Sequence, residues 1–186
     1  NLIPYPYNKT TITVDGIEWT DNGDGTITAN GTAERLTGFT CRLREGVTDN
    51  TPLMLNAGTY TLSGCPKGEN SNYYIVAKHT INGANIIIAQ DYGEGCTFSV
   101  SEENEEKQTE VKIGIVAGAT VDNVTFKPMI VKGTSVYEYQ PYNLSRRKMR
   151  EDIDNKRVAN NLATTEEGFA LDARQGKILA DQIAEV

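Results

Sequence analysis

The chain is expected to fold mainly as β structure, a jelly-roll β-sandwich followed by a helical, coiled-coil-like C-terminal segment. Three observations lead there. Polar and apolar residues alternate in short runs through residues 1–143, the period of strands that bury one face. Gly, Asn and Asp punctuate those runs at turn spacing. After Ser145 the composition changes, and residues 146–160 hold no Gly or Pro and are rich in helix formers.

Thr11-Ile-Thr-Val14 alternates, Gly16-Ile-Glu-Trp-Thr20 follows, and Asp21-Asn-Gly-Asp-Gly25 leads to Thr26-Ile-Thr-Ala29. Asp-Gly between alternating runs predicts a hairpin, because the turn needs positive φ and glycine adopts it without a Cβ clash. Asn30-Gly31 reads as another turn. Further strands are predicted over 39–43, 58–63, 73–78, 86–89, 96–100, 110–116, 124–131 and 136–139, with 101–108 a polar, acidic connection. About ten short strands at this spacing predict two packed sheets.

The chain has 186 residues, enough for a 1–143 domain and a 144–186 appendage. Apolar residues make up 38%, spread evenly enough to build a core. No run approaches the ~18 apolar residues of a membrane span. No signal peptide is visible and the first residue is Asn, so a fragment of a longer protein is expected.

Residues 1–145 hold 10 Lys and Arg against 17 Asp and Glu, and residues 146–186 hold 8 of each. An acidic body argues against broad phosphate-backbone binding, which needs a cationic surface, and disfavours anionic membranes. Arg146-Arg-Lys-Met-Arg150 is followed at once by Glu151, Asp152 and Asp154, the pattern of a solvated helix with i,i+4 pairs. Neither nucleic acid nor membrane insertion is expected.

Cys41, Cys65 and Cys96 are odd in number and lack CxxC spacing. Three small buried thiols are the expectation, with one disulfide plus a free thiol as the alternative. His79 is the single histidine, and an exposed or hydrogen-bonded ring is expected at the end of its strand. No GxGxxG, GxxxxGK[ST], HExxH or GxSxG occurs, so no enzyme and no cofactor are expected. Asp21 and Asp24 have the closely spaced oxygens that suit Ca²⁺, but position 12 of such a loop is Thr32 rather than Glu. The turn accounts for these residues without metal.

Aromatic residues are the candidates for binding. Sugars present flat C–H faces that stack on Trp and Tyr, while Asp, Asn and Gln pair with their hydroxyls. Asp91 and Tyr92 lie in a Gly-flanked loop, which favours exposure. Trp19, beside the hairpin turn, reads as core or platform, and core packing fits it better. Tyr73 and Tyr74 point to opposite faces of a strand, so at most one is core. Tyr137 and Tyr139 fit core packing better. Asp91, Tyr92, Trp19 and Tyr73 form the candidate site. Tyr5, Tyr7 and Tyr142, beside prolines, are expected to pin the ends of the domain together.

In the appendage, Met149 and Ile153 lie on one helical stripe, with Leu162 offset from it. Thr164-x-x-Glu167 has capping-box spacing and would start a second helix near Thr165. Its apolar face holds Leu171, Ile178, Leu179, Ile183 and Val186. So thin a stripe cannot make a core alone. It must pack on the β body or on copies of itself.

Ala170-Leu-Asp-Ala-Arg-Gln-Gly-Lys177, within a match that runs from Thr164 to Ile178, resembles a segment recurring in tail-fibre and receptor-binding proteins of bacteriophages and prophages. Asn1-Leu-Ile-Pro-Tyr-Pro-Tyr7, Trp19-Thr-Asp-Asn-Gly-Asp-Gly-Thr-Ile-Thr28, Ala57-Gly-Thr-Tyr-Thr-Leu-Ser-Gly64 and Phe126-Lys-Pro-Met-Ile130 resemble a module of prophage tail proteins in gut Firmicutes. That module looks like the jelly rolls of carbohydrate-binding modules. The resemblance implies a homotrimeric fibre component, assembled in a bacterial cytoplasm and carried on the virion tail. It would join adjacent fibre domains and adhere to host cell-surface glycan. A spacer or collar without a ligand is the alternative, and an accessory domain of a depolymerase a third reading.

Overall fold

The computed structural model describes residues 1–7, 10–42, 53–67, 72–81, 83–104 and 107–142. The chain separates into two units, Asn1–Tyr142 and Asn143–Val186. The second lies outside the described residues, and with it the expected helices and Met149, Ile153, Leu162, Leu171, Ile178, Leu179, Ile183 and Val186.

The described part is mainly β. Its strands are β1 (Thr11–Val14), β2 (Ile17–Asp21), β3 (Ile27–Thr32), β4 (Thr37–Thr40), β5 (Leu53–Met54) and β6 (Gly58–Ser63). They continue with β7 (Tyr73–Ile81), β8 (Ala84–Asp91), β9 (Cys96–Val100), β10 (Gln108–Ile115), β11 (Thr120–Phe126) and β12 (Met129–Lys132). One sheet runs β1-β2-β3-β11, a second β4-β10-β7-β8 with β5 beside β10, and a third β12-β6-β9. All pairings are antiparallel. A short 3-10 turn, Glu102–Asn104, lies in the acidic connection. No helix among the described residues is long and apolar enough to cross a membrane.

Alternation puts the apolar residues between the sheets. In β2, Ile17 and Trp19 are buried while Glu18 is exposed. In β10, Val111, Ile113 and Ile115 face inward. The Trp19 ring reaches Phe39 of the second sheet at 6.2 Å and Phe126 of its own sheet at 6.4 Å. Tyr73 of the second sheet meets Phe126 edge-on at 5.3 Å. The core is thus the space between two layers, as in a β-sandwich.

Three local readings are corrected. Asn30-Gly31 is not a turn, because β3 runs through it to Thr32. Gly31 is needed there since a Cβ would strike the Gly16 carbonyl of the β1–β2 turn. Opposite it β11 shifts register between Val121 and Val124, where Asn123 takes positive φ. The strand expected over 124–131 is split: Pro128 has no N–H for a ladder, so β11 ends in the first sheet and β12 begins in the third. Residues 135–140 form no strand. They continue from Gly133, whose carbonyl accepts the Thr61 hydroxyl at 2.8 Å, along the outer face of β6.

His79 shares the inward face of β7 with Ile75 and Ala77, opposite Thr109 of β10. It is buried, not exposed, and among the described residues neither His79 Nε2 nor Thr109 Oγ1 has a hydrogen-bond partner. Burial holds its imidazole below the usual value of 6.5. The unfolded chain therefore takes up a proton near 6.5 before the folded one does, and stability falls as pH drops through that window. The urea midpoint is expected to fall between pH 7.5 and pH 5.5 in the native chain, and to fall less in His79→Leu. Equal slopes would contradict this.

Candidate ligand-binding site

β8 ends at Asp91, whose carboxylate is turned inward and fully buried. Its Oδ1 accepts the N–H groups of Gly93 and Gly95, each at 2.8 Å, and Oδ2 accepts the N–H of Cys65 at 2.9 Å. Such charge-assisted bonds to backbone are stronger than neutral ones. Asp91 therefore holds the 91–95 loop in shape and docks it on the segment after β6. Gly93 (φ 113) is pressed on the chain at Lys67, where a Cβ would come within 2.7 Å of Lys67 Cα. A Lys67–Glu94 ion pair spans the exposed side.

Tyr92 stands on this loop with 46% of its surface exposed. Its ring lies 5.9 Å from that of Tyr74, tilted by 56°. Tyr74 in turn lies flat across β10 at Gly114, where any Cβ would run into the ring. The two phenols form an aromatic patch on the outer side of the second sheet.

The structure divides the sequence-predicted residues. Tyr92 is at the surface. Asp91 is beneath it, a positioning residue rather than a free acceptor. Trp19 is core, at 0% exposure, the better-fitting of its two readings, and its place in the candidate site is corrected because it cannot offer a platform. Tyr73 packs on Phe126, and its neighbour Tyr74 takes the outward place. Tyr137 is corrected the other way, 56% exposed rather than core.

The same loop also borders a cleft of about 330 Å³ whose lining does not include Tyr92. Ser63, Gly64 and Cys65 line one wall, the 93–95 stretch and Asp91 a second, Lys127 and Met129 a third. Val136, Tyr137 and Tyr139 of the irregular 133–139 strap complete it. Ser63 is 2% exposed, and among the described residues its Oγ has no hydrogen-bond partner. Burial pushes the Cys65 thiol up to about 12, which leaves it protonated and unreactive. Sequence reasoning singled out neither Ser63 nor Lys127, since the cleft that they line is completed by the strap, which is distant in sequence from both Ser63 and the loop.

The 21–25 turn is braced by hydrogen bonds from its own residues and their neighbours. Asp21 Oδ1 accepts the Gly23 N–H at 3.0 Å, and Asp24 Oδ1 accepts the Thr26 N–H at 2.9 Å and its hydroxyl at 2.6 Å. The Thr26 hydroxyl bond lowers the Asp24 carboxyl below its usual range. Tyr7 Oη donates to the Gly25 carbonyl at 3.1 Å and Tyr139 Oη to the Asp24 carbonyl at 3.0 Å. Among the described residues no three His, Cys, Asp or Glu side chains gather as metal ligands.

Comparison with known protein families, curated proteins and solved structures finds no match for this chain.

Proposed function

We propose that the chain is a non-enzymatic segment of a phage or prophage tail fibre or receptor-binding protein, adhering to host cell-surface glycan. On this reading the sandwich is a jelly roll of the carbohydrate-binding-module type. The 144–186 segment joins three copies and passes to adjacent fibre domains on the virion tail. The resemblance of Ala170-Leu-Asp-Ala-Arg-Gln-Gly-Lys177 supports the fibre part.

One observation carries the adhesive part: a loop locked by Asp91 presents Tyr92 beside Tyr74 as a half-exposed aromatic surface. Locked loops lose little entropy on binding. Weak sites of this kind, held three to a fibre, gain strength through effective concentration.

Binding of the full chain to candidate host cells and to a glycan array tests this, alongside light scattering for a mass three times that of the chain. Tyr92→Ala is expected to weaken binding roughly tenfold per site with no shift in melting temperature, because its ring is outside the core. Blank arrays and cells, with Tyr92→Ala equal to wild type, would sink adhesion and leave the spacer reading.

A further inference from the structure

We infer that the cleft between the 91–95 loop and the 133–139 strap is a pocket for one uncharged sugar ring or similar cyclic polyol, anchored by the Ser63 hydroxyl and walled by Tyr137. For the ligand's biological source this rests on the adhesion reading above. The pocket stands on its own geometry, and Tyr92 is not among its lining residues.

The anchor is the strongest observation. Thr61 and Ser63 point to the same outer face of β6, alternating with Tyr60 and Leu62, which belong to the core. The strap closes over both. It satisfies the first, since the Thr61 hydroxyl donates to the Gly133 carbonyl at 2.8 Å and meets the Thr97 hydroxyl at 3.4 Å. It leaves the second buried behind the cleft wall and without a partner among the described residues. A buried hydroxyl without a partner weakens a fold, and a ligand hydroxyl supplies what is missing. An alanine at 63 would serve the sheet equally well.

Size and lining set the ligand class. About 330 Å³ is near the lower end of small-molecule pockets, roughly 300–1,000 Å³, so a single ring is accommodated rather than a long chain. Glycines keep the walls close to the backbone: Gly64 lies against the Lys127 carbonyl, and a Cβ on Gly95 would come within 2.6 Å of Val136. Tyr137 and Val136, both exposed, offer apolar surface to the C–H face of a ring, with Met129 buried behind them. Lys127 is the one cation among the lining residues, set against the carboxylates of Asp91 and Glu94. That balance gives no net attraction for an anion, and the chain as a whole carries −7.

The test is an amide and aromatic NMR titration of the full chain with D-glucose, D-galactose, N-acetyl-D-glucosamine, L-rhamnose, myo-inositol and D-glucuronate. At least one neutral compound is expected to shift the signals of Gly64, Gly95 and Tyr137, with millimolar affinity and no preference for D-glucuronate. Ser63→Ala is expected to weaken that binding about tenfold while its melting temperature stays level or rises, because no hydrogen bond within the protein is lost. Tyr137→Ala should weaken binding without changing the melting temperature. The pocket is overturned if no neutral compound shifts these signals, if D-glucuronate binds best, or if Ser63→Ala binds as wild type. It is equally overturned if Ser63→Ala melts lower, which would reveal a structural partner for the hydroxyl. Cell adhesion lost in Tyr92→Ala but kept in Ser63→Ala, with no sugar in the cleft, would remove this pocket and spare the adhesion reading. A sugar in the cleft with blank cell binding would do the reverse.

Discussion

Asp91→Ala is expected to lower the unfolding free energy of the sandwich by about 3–5 kcal/mol, read from urea titrations at constant slope. Three backbone N–H groups, those of Cys65, Gly93 and Gly95, lose their acceptor at once. Bonds to a charged partner are worth roughly 1.5–3 kcal/mol each, and water entering the opened loop recovers part of that. Asp91→Asn should cost less, since its carbonyl oxygen still serves Gly93 and Gly95 while its amide faces the Cys65 N–H. A loss below about 1 kcal/mol for the alanine variant would show that the carboxylate is not what holds the loop. Sugar binding should fall in Asp91→Ala too, but only as a consequence of the loop opening. The binding loss should therefore track the stability loss across temperature.

Trp19→Ala is expected to be comparably severe, about 3–5 kcal/mol. The side chain is fully buried and spans the layers between Phe39 and Phe126. Truncation leaves a void between Phe39 of β4 and Phe126 of β11 that the neighbours cannot wholly close. Trp19→Phe should cost much less, because the indole Nε1 has no partner to lose among the described residues. If Trp19→Ala instead left the urea midpoint in place and abolished binding, the side chain would have to reach the surface in solution, contrary to its position here.

Both residues were candidate binding groups on sequence grounds, and the reason they changed roles is physical. Alternation tells which residues share a face but not which face is inner. Trp19 and Tyr73 therefore stayed ambiguous until strand order put β2 and β7 in opposite layers. What is set locally was legible. Gly58–Ser63 and Cys96–Val100 have the bounds expected of them, each an alternating run stopped by Gly or Ser. The 21–25 hairpin was legible for the same reason. Features set by distant chain were not. The Asn30-Gly31 pair serves a close approach to Gly16 instead of a turn. Pro128 moves the chain from one sheet to another. The cleft depends on where the 133–139 strap comes to rest, which no local pattern records. Tyr92 was found because its exposure follows from flanking glycines; Ser63 was missed because its isolation follows from the strap.

The tyrosine contacts on the 21–25 turn bear on how the unit carries load. Tyr5 and Tyr7, near the start of the described chain, and Tyr139, near its end, all bond to that turn. Asn1 adds a second fastening, its amide held by the Pro128 carbonyl at 3.1 Å and its Oδ1 by the Ile130 N–H at 3.3 Å. Tension entering through one terminal segment and leaving through the other meets two fastenings, the 21–25 turn and the Asn1 contacts with Pro128 and Ile130. These contacts brace the terminal segments against the body, so the sandwich and the loop it supports keep their shape under pull until both clasps give way.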